Sequence, residues 1–183
     1  MAYHGVLIPE AIAAMNIDAL NRSAVLPGGT LDNGQIVALL TRSTTAGESE
    51  VWTATVPATG SLTSLWMVYS GDELVVTNSQ YKGLDPDPRN FFTPATKVVS
   101  VYKPQVGDIV LMTAECFAGT KSSNTFVNAV NSTGGLNLLW GSTQTSSVLS
   151  YKLLDDTKYI NIPSGAIGDN QRVAAYEFQC VGI

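Results

Sequence analysis

Apolar and polar positions alternate in short runs along most of this chain, and turn residues bound the runs. Val51 to Val56 places Trp52, Ala54 and Val56 on one face and threonines on the other. The last run, Val173 to Val181, sets Tyr176, Phe178 and Cys180 against Glu177 and Gln179. Further runs are Ile36 to Leu40, Leu65 to Tyr69, Val98 to Tyr102, Ile109 to Ala114, Phe126 to Val130, Leu136 to Trp140, Val148 to Leu154 and Tyr159 to Ile162. Leu74 to Thr77 reads as a return strand after Ser70-Gly71-Asp72, and Asp155-Asp156 as a hairpin turn. Asn33-Gly34, Pro104 to Asp108 and Thr133-Gly134-Gly135 are the remaining punctuation. About ten short strands so spaced predict an all-β, mainly antiparallel barrel or sandwich. The expected core is Trp52, Leu65, Ile109, Leu111, Tyr176 and Phe178.

The first 29 residues read differently. From Pro9 to Arg22 the spacing of Ile8, Ile12, Met15 and Ala19 predicts a short helix, with Pro9 and Glu10 suited to its first turn. Leu26-Pro27-Gly28-Gly29-Thr30 then reads as a hinge. The predicted organisation is an N-terminal arm or short helix over 1–29 and a β-rich body over 30–183. The arm is expected to dock on a neighbouring subunit or larger assembly and to add little to the body's own stability.

Composition narrows the function classes. Serine, threonine, asparagine and glycine form one third of the 183 residues, while only 14% are charged. With 45% hydrophobic residues the chain can bury a core, so it is not a disordered segment. A net charge of −5 argues against a nucleic-acid binder, which needs a basic face. No apolar run approaches the roughly 20 residues of a membrane-spanning helix. The start MAYHGVLIPEAIAAMN has no basic segment of the signal-peptide kind, so synthesis in a cytoplasm is expected. Cys116 and Cys180, without CxxC spacing, read as reduced apolar thiols.

Candidate chemistry is sparse. The sole histidine, His4, sits near the N-terminus, a poor base for a preorganised catalytic group. One histidine and two distant cysteines do not supply zinc ligands at any usual spacing. Asp85 and Asp87 could begin an oxygen site for a hard cation, but the further acids of a calcium loop are missing. The plainer reading is a stiff loop whose acids cap turns or pair with Lys82 or Arg89. The glycine pairs lack a phosphate-loop pattern. Trp52 and Trp66 read as core; Trp140, ahead of Gly141, is the best candidate for an exposed, sugar-stacking aromatic. No catalytic residue, cofactor or metal is expected, and glycan binding has no constellation behind it.

The stretches Leu31 to Val37, Glu50 to Ala54, Tyr81 to Asn90 (YKGLDPDPRN), Val101 to Ile109, and the ending from Lys158 through Val181 resemble small head-associated structural proteins of tailed bacteriophages. The resemblance covers most of the chain after residue 30. It implies a capsid decoration (cement or auxiliary) protein or head-fibre base, without catalytic residues. It also implies a homo-oligomer bound to the major capsid protein on the virion exterior. A tail, baseplate or receptor-contacting component is the alternative, and a carbohydrate-binding β module a more distant one. The X-Pro bonds of the YKGLDPDPRN loop restrict its backbone, and a rigid loop loses less entropy on docking. Tyr81, Lys82, Asp85, Asp87, Arg89 and Phe91 therefore form the expected interface patch, together with Ile8, Ile12 and Met15 on the arm. The competing reading of the loop is a brace for the body.

Overall fold

The computed structural model describes residues 4–8, 13–14, 17–44, 50–57, 64–69, 87–90, 92–132, 135–163 and 170–183. The expected strand Leu74 to Thr77 lies outside these residues. The all-β expectation holds, with twelve strands in the described parts: β1 Asn21–Val25, β2 Ile36–Arg42, β3 Val51–Thr55, β4 Leu65–Val68, β5 Val98–Tyr102, β6 Ile109–Thr113, β7 Phe117–Ala118, β8 Phe126–Ser132, β9 Gly135–Gly141, β10 Ser150–Asp155, β11 Tyr159–Pro163 and β12 Asn170–Gly182.

The first five strands close into a small barrel in the order β1-β3-β2-β4-β5, with β5 returning to β1. β1 and β3 run parallel and the other neighbours antiparallel. Closure leaves these strands no free sheet edge. The remaining seven strands form a second sheet. Its spine is a long hairpin: Ser150 faces Gly182 at one end, and Pro163 faces Asn170 at the other. β10 and β11 are thus two halves of one arm, and Asp155-Asp156 is a kink within it, not the hairpin turn the sequence predicts. Asp155 Oδ1 accepts hydrogen bonds from the Thr157 amide and hydroxyl, both at 2.7 Å, which holds the kink without reversing the chain.

Barrel and sheet share walls. All four residues of β4 are buried: Trp66 and Val68 face the barrel interior, while Leu65 and Met67 face the second sheet. Val37 and Ile36 on β2, and Val101 and Tyr102 on β5, divide in the same way. Period-2 alternation explains this: a strand with a core on each side must be apolar at successive positions.

The expected core is right in part. Leu65 and Phe178 are buried, and Tyr176 packs against the sheet core. Trp52, Ile109 and Leu111 are only half-buried, and Val110 and Met112 fill the places expected for the β6 pair. Ile-Val-Leu-Met is apolar on both faces, so alternation alone does not give its parity. Trp140 also departs from expectation. It is buried, its ring centroid 5.3 Å from Phe117 and 5.5 Å from both Tyr176 and Phe178.

The described residues of the expected helix are not α-helical. Ala13 bridges to Ile109, Asp18–Leu20 form one 3-10 turn, and Asn21 and Arg22 open β1. Residues 4–8 run along the edge of β6. The Ile8 amide donates to the Leu111 carbonyl at 3.0 Å, and the Thr113 amide to the Val6 carbonyl at 2.9 Å. Leu7 is fully buried in the sheet core. Pairing with a strand edge satisfies backbone groups that a lone short helix would have to satisfy by itself. No break in packing falls at residue 29, because β1 is part of the barrel wall.

Candidate functional site

The residues singled out by sequence converge partly on one place, where the N-terminal segment meets the turn at Pro88–Asn90 and the 3-10 turn at Ala114–Cys116. Arg89 is its hub. Its Nη2 donates to Asp87 Oδ2 at 2.7 Å and its Nε to Asp87 Oδ1 at 3.0 Å. Nη1 reaches Glu115 Oε1 at 3.4 Å, Nη2 reaches Gln171 Oε1 at 3.5 Å, and the Arg89 carbonyl accepts from the His4 amide at 2.7 Å. Asp87 and Arg89 are both buried, so they brace the body and do not form the polar rim of a surface patch. Burial raises the Asp87 pKa, but the hydrogen bonds and charge of Arg89 outweigh it and hold the carboxyl below its ordinary value of 3.8. Ile8, beside the buried Leu7, is half-buried. Ile12, Met15, Tyr81, Lys82, Asp85 and Phe91 lie outside the described residues.

His4 is anchored. Its Nδ1 lies 2.8 Å from Asp32 Oδ1, and its ring centroid is 5.0 Å from that of Phe92. It borders a hollow of about 270 Å³ that is also lined by Asp32, Asn33, Glu115 and Cys116. Histidine, aspartate and cysteine in one hollow invite comparison with nucleophilic sites, but the thiol chemistry differs. Cys116 Sγ contacts the Asn33 carbonyl at 3.7 Å. Burial pushes its pKa up to about 12, so the thiol stays protonated at neutral pH. The sulfur also fixes its neighbours: a Cβ on Gly5 or Gly34 would sit 2.9 Å from it, and Gly34 has φ +84°. Cys180 is raised to about 11, again by burial first. Both cysteines are free. Among the described residues no cluster of histidine, cysteine and carboxylates has the geometry to hold a metal ion.

Sequence reasoning passed over a second feature, at the rim of the barrel. A hollow of about 350 Å³ there brings together Arg22, Arg42 and Trp52. These residues are 30 positions apart at the extremes and meet only through strand pairing. The available signal was slight: two basic residues in an acidic chain, one closing the expected helix and one just after the run Ile36 to Leu40.

No protein-family model matches the chain, and no curated protein or solved structure matches it.

Proposed function

We propose that this chain is a non-enzymatic structural protein of a tailed-bacteriophage virion, mounted on the capsid exterior, where it binds the major capsid protein and stabilises the shell. The observation that carries the reading is the use to which the polar groups are put. Arg89 ties residues 4, 87, 115 and 171 into one braced corner, and the two thiols, Cys180 buried and Cys116 half-buried, stay protonated. A body so braced is preorganised for docking and loses little conformational freedom on attachment. The resemblance of YKGLDPDPRN and of the ending from Lys158 to Val181 to head-associated phage proteins gives the reading its direction. Attachment to the assembled shell alone stabilises that state by mass action, and repetition over a symmetric surface strengthens modest single contacts.

Imaging of purified particles tests this directly. Density for this body at regular positions on the head, with particles lacking it releasing their genome at a lower temperature, is the expected result. Density on the tail or baseplate would replace it with the alternative structural role, and absence from the particle would overturn both.

A further inference from the structure

The charge of this molecule reverses locally at one rim of the barrel. The chain carries 15 acidic and 10 basic residues, yet Arg22 and Arg42 line the same hollow, with Glu50 the one carboxylate beside them among the described residues. Among the described residues neither arginine has an ion-pair partner. Both are held by aromatic faces. The Arg42 guanidinium carbon is 5.6 Å from the centroid of Trp52, and that of Arg22 is 5.8 Å from the centroid of Trp66.

Strand geometry explains how they meet. A bulge in β2 between Leu39 and Arg42 brings Arg42 opposite Trp52 on β3. Alternation along β1 and β3 puts Arg22 and Trp52 on the side of Ala24 and Ala54, which fill the barrel interior. Trp66, 8% exposed, lies beneath Arg22 in the barrel interior. Among the described residues Arg22 donates one side-chain bond, to the Asn21 carbonyl at 3.0 Å, which leaves most of its donors free there. The rim is thus rich in donors and positive charge, and Ser23, Ser100 and Tyr69 add hydroxyls around it.

We propose that this rim hollow binds an acidic saccharide, its sugar ring packed against Trp52 and its carboxylate held by the guanidiniums of Arg42 and Arg22. Planar guanidinium pairs with carboxylate in a two-point fork, and hydroxyls with an aromatic surface match a ring bearing several hydroxyls. At about 350 Å³ the hollow is at the small end of ligand pockets and takes a terminal sugar unit. A nucleic acid fits poorly, because a body of net charge −5 repels a long polyanion around so small a basic spot. The site stands whether or not the protein is mounted on a virion.

The test is a titration of the full chain, followed by tryptophan fluorescence and by heat. The probes are galacturonate, glucuronate and N-acetylneuraminate, with galactose, inorganic phosphate and a glutamate-rich peptide as comparisons. At least one acidic sugar should saturate the signal at millimolar concentration or below and bind at least about tenfold more tightly than every comparison probe. Arg42→Ala, at an exposed position, should weaken it about tenfold without moving the melting temperature, and Arg42→Lys should restore only part, since the fork is lost. Added salt should weaken binding of the acidic sugar. Three results overturn the proposal: no saturation by any acidic sugar below about 10 mM, equal binding of galactose, phosphate or the peptide, or unchanged affinity in both Arg22→Ala and Arg42→Ala.

Discussion

The two cores of this molecule are built from different material. The barrel core holds Ala24, Leu26, Leu31, Val37, Ala54, Val68, Val99 and Val101, with Trp66 as its one buried aromatic among the described residues. The sheet core is aromatic: Tyr102, Trp140, Tyr151 and Phe178 are buried, and Phe117 and Tyr176 pack against them. Closure makes the difference. A five-stranded barrel has a narrow interior that small branched side chains fill, whereas an open sheet folded against a wall leaves a wider space that rings fill. The barrel is held by its closed hydrogen-bond circuit. The sheet depends more on interdigitated rings and on the N-terminal segment that covers the edge of β6. Loss of side-chain volume should therefore be felt more in the sheet core than in the barrel.

Phe178→Ala should have the largest effect. Phe178 is fully buried, with ring centroids 5.0 Å from Phe117 and 5.5 Å from Trp140. Truncation should cost about 3–5 kcal/mol in denaturant unfolding, as buried aromatic truncations do. Leu7→Ala follows, with an expected loss of about 2–5 kcal/mol. This variant also measures whether the N-terminal segment belongs to the body: a loss under about 0.5 kcal/mol, the range of surface substitutions, would restore the detachable arm. Val37→Ala in the barrel should cost least, about 1.5 kcal/mol from two buried methyl-sized groups. A Val37 loss equal to that of Phe178 would erase the contrast between the cores.

The same contrast decides what could be read from sequence. Leu65–Val68 was legible because it has a core on both sides and is apolar throughout, and Val98–Tyr102 because Ser100 alone interrupts an otherwise apolar run. β1, Asn-Arg-Ser-Ala-Val, was not. Its one fully buried residue is Ala24, and its neighbours are polar. The N-terminal segment misled for another reason. Apolar residues spaced by three and four imitate a helix, but Leu7 is held by a strand 105 positions further on, which no local window contains. Trp140 looked exposed because a glycine follows it; its partners arrive from positions 117, 176 and 178. At the braced corner, the Asp87–Arg89 pairing was among the sequence readings. The burial that makes it a brace comes from His4, Glu115 and Gln171, and so from the fold. The rim hollow was illegible for the same reason, since Arg22, Arg42 and Trp52 meet only once the barrel closes.

Alkaline titration separates the regions further, through Tyr102 and Tyr151, which lie at their shared wall with both hydroxyls directed at the Met67 sulfur. Burial raises both phenols above the ordinary value of 10. The folded protein therefore resists their ionisation while the unfolded chain does not, and stability is lost as pH rises above about 10. Tyr151→Phe should flatten that alkaline decline. An unchanged slope would mean that the wall opens before the phenols titrate.

The smallest effect is expected at the braced corner, on the acid side. The folded-state pKa of Asp87 lies below its ordinary value of 3.8, since the Arg89 hydrogen bonds and charge outweigh the burial that would raise it. The unfolded chain then binds this proton more tightly than the native state does. The contribution is fully present above the unfolded value and is lost as pH falls through the folded one. Asp87→Asn should lower stability at neutral pH and flatten the acid decline below about pH 4. Flattening will be partial, because Asp155 is also lowered, by the Thr157 hydroxyl, the Thr157 amide and Lys158. Asp108 works in the opposite direction: burial raises it, so its protonation favours the folded state as pH falls. Unfolding midpoints of wild type and Asp87→Asn, compared from about pH 7 down to about pH 2.5, resolve the Asp87 share. Parallel curves would show that the Asp87–Arg89 pair is equally formed in the unfolded chain, as a pair two residues apart can be, and that the corner is held instead by the longer reach of Arg89 to Glu115 and Gln171.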